Sequence, residues 1–193
     1  MTQTKTQGFG SMTHLAGRFF GALRPGGPPP GDEAWAQAWL EPGERGLWIR
    51  MSGPDRRHAV GVAREARALV DAGDQGPAPR EVVAAALLHD VGKIESGLGT
   101  WSRAAVTLVA MGVGRERVAR WGRADPTSVR SWLGRWRLAA GLYVTHDRIG
   151  SQLLDLAGSD PLTVAWAKEH HRPRDTWTVS LPFADALKAA DGD

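Results

Sequence analysis

The stretch VVAAALLHDVGKIES, residues 82–96, decides how this chain is interpreted. Its first part, Val82 to Leu88, is apolar on every side, which predicts a helix buried all round. The helix runs into His89 and Asp90, and Gly92 is predicted to end it after Val91. Ionisable groups are costly to bury, so a helix that only needed to pack would not end in two of them. We therefore expect either an end of the helix that faces solvent, or a helix that holds these two side chains in a site.

Helical periodicity dominates the rest of the chain. Ala59, Val62, Ala66 and Val70 follow the spacing of an amphipathic helix. The segment SDP at 159–161 is typical of a helix start, with a polar cap and a proline in the first turn. Helices are predicted at about 59–70, 82–91, 101–111, 149–157, 162–169 and 183–190. No segment alternates like a strand, so the predicted fold class is all-α.

Length and composition limit the function classes. The chain has 193 residues, enough for one domain with a sizeable core. It contains no cysteine, which excludes disulfides, zinc ribbons, iron–sulfur clusters and thiol catalysis. Any metal ligands must therefore be nitrogen or oxygen atoms. The absence of cysteine also fits a reducing compartment, and we expect a cytoplasmic protein.

The first 31 residues differ from the rest. Their apolar patch, around residues 15–23, is interrupted by glycine and arginine and is too short for a signal peptide or a membrane span. Residues 25–31, PGGPPPG, are typical of a linker. We predict a disordered tail and linker over 1–31 and a single domain over 32–193. A weak amphipathic segment that touches a surface or a partner is the alternative for the patch.

Residues 115–137 hold seven arginines and only two acidic residues. A nucleic-acid-binding patch is one interpretation of this excess. We favour a solvated face of one or two helices, because Trp121, Trp132 and Trp136 are typical of residues that anchor packing.

Five histidines lie in or beside the predicted helices: His58, His89, His146, His170 and His171. A single histidine of this kind is most often a satisfied core residue. Five of them on four helices, beside aspartates, indicate a shared partner, because several buried imidazoles each need one. A metal ion would serve all of them at once, and imidazole with carboxylate suits first-row metals.

The pattern resembles the HD-domain superfamily of metal-dependent phosphohydrolases over about residues 47–193. The family signature is a histidine, a His-Asp doublet and a distant aspartate, which match His58, His89–Asp90 and Asp191. The doublet context, LLHDVGK, is the specific part of the match. The segments THDRIGSQLL and VAWAKEHHRP look like further metal-binding segments of the multi-metal HDIG and HD-GYP-like branch. The glycine-tyrosine-proline segment of that branch is absent, and Arg172 stands where an acidic residue often follows the double histidine.

The resemblance implies an HD-domain helical bundle with a dinuclear metal site between helices. The implied metal ligands are His58, His89, Asp90, His146, His170, His171 and Asp191, with Asp193 as an alternative to Asp191. The expected ions are two divalent metals per chain, Fe or Mn first, with Zn, Ni, Co or Mg possible. Asp90, Lys93 and His171 are the expected catalytic residues, and Lys93, Arg148, Arg172 and Arg103 are candidates to contact substrate phosphate.

The expected reaction is hydrolysis of a small phosphorylated substrate such as a nucleotide by a metal-activated water. Two alternatives stay open at this point. The same ligand set would suit a mixed-valent di-iron oxygenase, although Lys93 favours phosphate. The domain could also bind a nucleotide or partner without catalysis, with metals serving only its stability.

Overall fold

The computed structural model describes residues 26–192, and within them every element is helical. The all-α prediction is therefore confirmed. Residues 1–25, which form most of the predicted tail and linker over 1–31, and Asp193 lie outside the described residues. The α-helices are α1 (Pro30–Ala38), α2 (Pro42–Trp48), α3 (Gly53–Asp71), α4 (Arg80–Leu88), α5 (Thr100–Val113), α6 (Arg115–Trp121), α7 (Trp132–Val144), α8 (His146–Leu156), α9 (Pro161–Glu169) and α10 (Leu181–Asp191). Short 3₁₀ helices cover Val91–Ser96 and Arg174–Thr176.

Helix α4 is the centre of the main core, as its sequence predicts. Every residue from Val82 to Leu88 is completely buried, and the helix packs against α3, α9 and α10. Burial of each valine or leucine side chain contributes about 1.5–3 kcal/mol. The end of this helix is consequently held by a fully buried core.

The helix starts follow local sequence signals. Asp160 accepts a hydrogen bond from the backbone N–H of Leu162 at 2.8 Å, with Pro161 in the first turn of α9. Ser52 caps α3 in the same way through the N–H of Asp55. These caps satisfy backbone donors that have no partner inside the helix, so the bounds of α3 and α9 are set by sequence.

The first described helix starts close to residue 32, the predicted start of the domain. Helix α1 begins at Pro30, inside the segment assigned to a linker, because proline is favourable in a first turn where its missing N–H costs nothing. Glu33 of α1 accepts hydrogen bonds from the Trp48 indole at 2.7 Å and from Arg56 at 2.9 Å. These partly buried contacts join α1 to α2 and α3.

A second, smaller core lies among α5, α6 and α7, built around Val106, Val118, Ala140 and Val144. The arginines of residues 115–137 are all exposed, in agreement with a solvated face. Trp121 and Trp136 pack against this core, but Trp132 is 74% exposed, so its prediction as a packing anchor was wrong. Trp132 begins α7, where its side chain projects beyond the small core.

Gly92 has a different role from the predicted one. Helix α4 ends at Leu88, and the chain continues as a 3₁₀ helix that contains Gly92. A Cβ on Gly92 would lie 2.0 Å from the carbonyl oxygen of His146 and 2.6 Å from the nitrogen of Gly150. The glycine therefore permits the backbone of α8 to approach the end of α4, and its prediction as a helix stop was wrong.

In the part of the chain that the structure describes, no helix combines the length and the apolar character needed to cross a membrane.

Candidate metal centre

Three of the histidines share one local arrangement at helix ends. Each follows the last residue of a helix by one or two positions, and its Nδ1 lies within hydrogen-bonding distance of the carbonyl three residues earlier. The carbonyls of a last helical turn lack partners within the helix, so the imidazole satisfies one of them. The distances are 2.9 Å for His89 to Ala86, 2.7 Å for His146 to Tyr143 and 3.0 Å for His170 to Ala167.

This arrangement fixes the chemistry of the other ring nitrogen. A carbonyl only accepts hydrogen bonds, so Nδ1 carries the proton and, in the neutral ring, Nε2 keeps its lone pair. Nε2 of His146 and Nε2 of His170 are buried and have no hydrogen-bond partner among the described residues. Buried polar atoms without partners are rare in folded proteins. Two lone pairs held in this way are what a metal ion requires of imidazole ligands.

Helix ends also contribute to the electrostatic potential at the candidate metal centre. Except for His58, which lies inside α3, the candidate ligands lie within two residues of the C-terminal ends of α4, α7, α9 and α10. The C-terminal end of a helix carries a partial negative charge of about half an elementary charge. The backbone of this fold therefore favours a cation at this place before any carboxylate is counted.

The first group of candidate ligands joins α3, α4 and α10. Asp191 Oδ1 lies 3.3 Å from His58 Nε2 and 3.6 Å from His89 Nε2. His58 is about one-third exposed, whereas His89 and Asp191 are buried. His58, His89 and Asp90 each offer a ligand atom within 4.8 Å of the others, so this group could hold a metal ion. Asp193, the alternative to Asp191, is outside the described residues.

The second group lies on the other side of Asp90. Asp90 Oδ1 lies 3.2 Å from His146 Nε2, although the two are not aligned for a hydrogen bond, and 3.9 Å from His170 Nε2. His171 completes the group, with its ring centroid 3.9 Å from that of His170 and 5.3 Å from that of His146. These four side chains also offer ligand atoms within 4.8 Å of one another. His171 is the one exposed member.

Asp90 belongs to both groups, and its two oxygens are divided between them. Oδ1 faces His146 and His170, whereas Oδ2 lies 3.4 Å from His89 Nε2 and is paired with the Lys93 ammonium. The structure thus brings all seven predicted ligands together at a buried histidine–aspartate cluster that could hold metal.

Charges at the centre are strongly coupled. Burial opposes ionisation of Asp90, but Lys93 and His89 more than offset this and hold the pKa of its carboxyl well below the usual range. Burial likewise opposes protonation of His89, yet Asp90 and Asp191 together raise its pKa to about 9. Asp90 also raises the pKa of Lys93 despite burial. Without metal, the first group is therefore held together by a proton on His89.

The second group is different, because two of its histidines, His170 and His171, are neutral. Burial lowers the pKa of His170 to about 4, and the charge of His89 contributes to this shift. Partial burial also lowers the pKa of His171, and the neighbouring His170 and His146 lower it further. At neutral pH these two imidazoles already have the protonation state in which they bind metal.

The two groups should consequently differ in the number of protons that are released when a metal ion binds. An ion entering the first group must displace the proton of His89, so its affinity should rise about tenfold per pH unit below about pH 9 and level off above it. Calorimetric titration with Zn²⁺ at pH 7.5, in buffers of different ionisation enthalpy, should show about one proton released for this ion. An ion entering the second group should release fewer, because His170 is neutral. Equal proton release for both ions, or none for either, would contradict this assignment of charge.

The four residues predicted to contact substrate phosphate lie in different surroundings. Lys93 reaches the centre through its pair with Asp90. Arg103 is bound to both oxygens of Asp55, at 2.7 and 2.9 Å, with its guanidinium 6.0 Å from the centre of the Tyr143 ring. Arg148 is exposed on the first turn of α8. Arg172 is also exposed, and it lines a surface cleft that begins at His171.

Two residues near the centre were not identified from sequence. The Tyr143 ring stacks on His146, with centroids 5.8 Å apart and an interplanar angle of 27°. After Asp90, the electrostatic effects of Tyr143 and Asp55 also raise the pKa of Lys93. The signal that points to them is spacing, because each stands three residues before a predicted ligand, His146 or His58. Asp55 and His58 share one side of α3, whereas Tyr143 is at the end of α7 and His146 begins α8.

Comparison of the chain with models of known families, with curated proteins and with solved structures gave no match.

Proposed function

We propose that this chain is a metal-dependent phosphohydrolase that binds two divalent ions, one on each side of Asp90, and cleaves a phosphoester. The observation that supports this proposal most directly is the division of the two Asp90 oxygens between two groups of histidines. A carboxylate that holds one ion with each oxygen places two ions close enough to act on one phosphoryl group. The order His58, His89–Asp90, Asp191 supports membership of the HD-domain superfamily as part of the same proposal.

The protein residues divide the work in this proposal. His58, His89 and Asp191 would hold one ion, His146 and His170 would hold the other, and Asp90 would contribute an oxygen to each. Fe or Mn are the expected metals, since histidine with carboxylate suits first-row divalent ions. Bound there, two divalent ions would lower the pKa of a water molecule and offset the charge of a phosphoryl group.

Lys93 and His171 are the proposed contacts to the substrate. The Lys93 ammonium is beside Asp90 and the side chain is 18% exposed, so it can also reach an anionic group next to the ions. His171 is exposed at the edge of the second group, and its lowered pKa makes it neutral near pH 7. A neutral His171 suits an additional metal ligand or a hydrogen-bonding partner of the substrate.

Metal content and hydrolysis test the proposal together. The full chain is purified without chelator and without added metal, its metals are quantified, and it is assayed on phosphomonoesters and phosphodiesters with Mn²⁺ or Fe²⁺. Close to two ions per chain with metal-dependent hydrolysis is the expected result. Two irons with consumption of dioxygen and no hydrolysis would favour the oxygenase instead. Bound metal with neither activity would favour a binding module.

Lys93→Gln should weaken catalysis without loss of metal. We expect kcat/KM for a phosphoester to fall roughly tenfold, the effect of losing one charge-assisted contact. Metal content should stay at the wild-type value, because the ammonium competes with a metal ion for Asp90 rather than helping it to bind. Lys168→Gln, an exposed lysine on α9, is the matched control and should leave both quantities unchanged. A fall in metal content for Lys93→Gln alone would show that Lys93 supports the ligands instead.

A further inference from the structure

A surface cleft opens beside the exposed end of the metal centre. One wall follows the chain after α9, with His171, Arg172 and Trp177, and the other is the last part of α10, with Lys188 and Gly192. His171 is a candidate ligand, and Gly192 directly follows Asp191, another candidate ligand. Both walls of the cleft therefore start at the metal centre.

Lys188 joins the cleft to the centre. Its Nζ donates a hydrogen bond to the carbonyl oxygen of His170 at 2.9 Å. An ammonium has three donors, so this bond leaves others for a molecule in the cleft. An anionic group bound at Lys188 would lie beside a residue that holds the second metal ion.

Arg172 supplies a second cation. Its side chain is exposed and has no hydrogen-bond or ion-pair partner among residues 26–192. The other arginine of the cleft, Arg174, is neutralised by Asp185, with nitrogen–oxygen distances of 2.7 and 2.6 Å. One further carboxylate, Asp175, lines the cleft, so its lining carries a net single positive charge.

Trp177 gives the cleft a flat apolar element. The indole is fixed by hydrogen bonds from its Nε1 to the carbonyls of Glu169 and Arg172, at 3.1 and 3.0 Å, and by edge contact with Trp166. A ring held in this way offers contact area without a further loss of side-chain freedom. The wall suits a planar group better than a flexible chain.

From these contacts we infer that the cleft binds the leaving group of the substrate, and that this leaving group carries a ring and a second negative charge. The ring lies along Trp177, and the second charge is held by Arg172 and Lys188, while the reacting phosphoryl group is at the metals. This inference rests on the proposed function, and it defines the class of phosphoester that the enzyme selects. Arg172 is thereby a specificity-determining residue.

Non-hydrolysable phosphonates test the inference step by step. Methylphosphonate reaches only the metals, phenylphosphonate adds the ring, and 4-phosphonobenzoate adds a carboxylate to that ring. Their dissociation constants are measured by calorimetry on the full chain loaded with Mn²⁺. We expect affinity to increase in this order, with the carboxylate adding roughly tenfold through a charge-assisted contact.

Arg172→Gln should remove the carboxylate increment alone. The variant should bind 4-phosphonobenzoate roughly tenfold more weakly and bind the other two phosphonates as the wild type does. Arg117→Gln, which removes an exposed arginine of α6 outside the cleft, is the control for net charge. Lys188→Gln is the second variant, since it removes a charge of the cleft and keeps a donor for the His170 carbonyl.

The outcomes separate the two levels of the proposal. Equal binding of all three phosphonates by the wild type would overturn the leaving-group cleft while leaving a phosphoryl site at the metals. Retention of the carboxylate increment in both Arg172→Gln and Lys188→Gln would also overturn it. Failure of the Mn²⁺-loaded wild type to bind any of the three would count against the proposed phosphohydrolase itself.

Discussion

Asp90→Asn is expected to abolish hydrolysis and to lower the affinity for both metal ions, each by at least about a hundredfold. Asp90 is the residue common to both ligand groups, and its two oxygens face different histidines. An amide of the same size keeps one weakly ligating oxygen and presents an N–H₂ group, which cannot bind metal, to the other side. A single isosteric change should therefore empty both positions.

The measurement is elemental analysis of the purified variant together with a hydrolysis assay. Asparagine also leaves Lys93 without its ion pair, so the melting temperature must be compared with that of the metal-free wild type. Asp155→Asn, an exposed aspartate on α8, is the matched control and should behave as the wild type does. Full retention of one ion in a folded Asp90→Asn variant would show that the aspartate does not bridge two positions.

His146→Ala is expected to lose one ion and keep the other. His146 belongs only to the second group, so the ligands His58, His89, Asp90 and Asp191 should still hold an ion. Hydrolysis should fall by at least about a hundredfold, because one ion cannot act on both the attacking and the leaving oxygen. Calorimetric titration with Mn²⁺ should change from two binding events to one.

His58→Ala provides the reciprocal test. His58 belongs only to the first group, so this variant should lose the opposite ion and keep the one at His146 and His170. The ion retained by His58→Ala should bind with little proton release, whereas the ion retained by His146→Ala should release the proton of His89. Loss of both ions in each variant would contradict two separable positions, and two ions retained in His146→Ala would remove His146 from the ligand set.

The sequence predicts much of this fold because the helical signals are local. The apolar run Val82–Leu88 is helical and completely buried, and the Asp160–Pro161 start of α9 lies at the predicted residue. The candidate ligands are also visible in sequence, because all but His58 are histidines or aspartates beside a helix end. Local spacing carries this information, since a helix and its cap are formed by neighbours in the chain.

Other features depend on contacts between distant segments, which spacing does not contain. Gly92 is required by the backbone of His146 and Gly150, more than fifty positions away, and so it could not be told from a helix stop. Trp132 is exposed, although a large aromatic side chain is typical of packing, because the small core does not extend to it.

What the sequence determines by itself is the helical class, the buried central helix and the set of residues able to bind metal. Only the tertiary structure decides how those residues divide: the carboxylate of Asp90 faces His89 with one oxygen and His146 with the other, while Lys93 turns back to pair with it. The tertiary structure also places Arg172, Trp177 and Lys188 around one cleft beside His171. The physical reason is that a site is made by the ends of several helices, and packing between the helices, not the sequence of any one of them, brings those ends together.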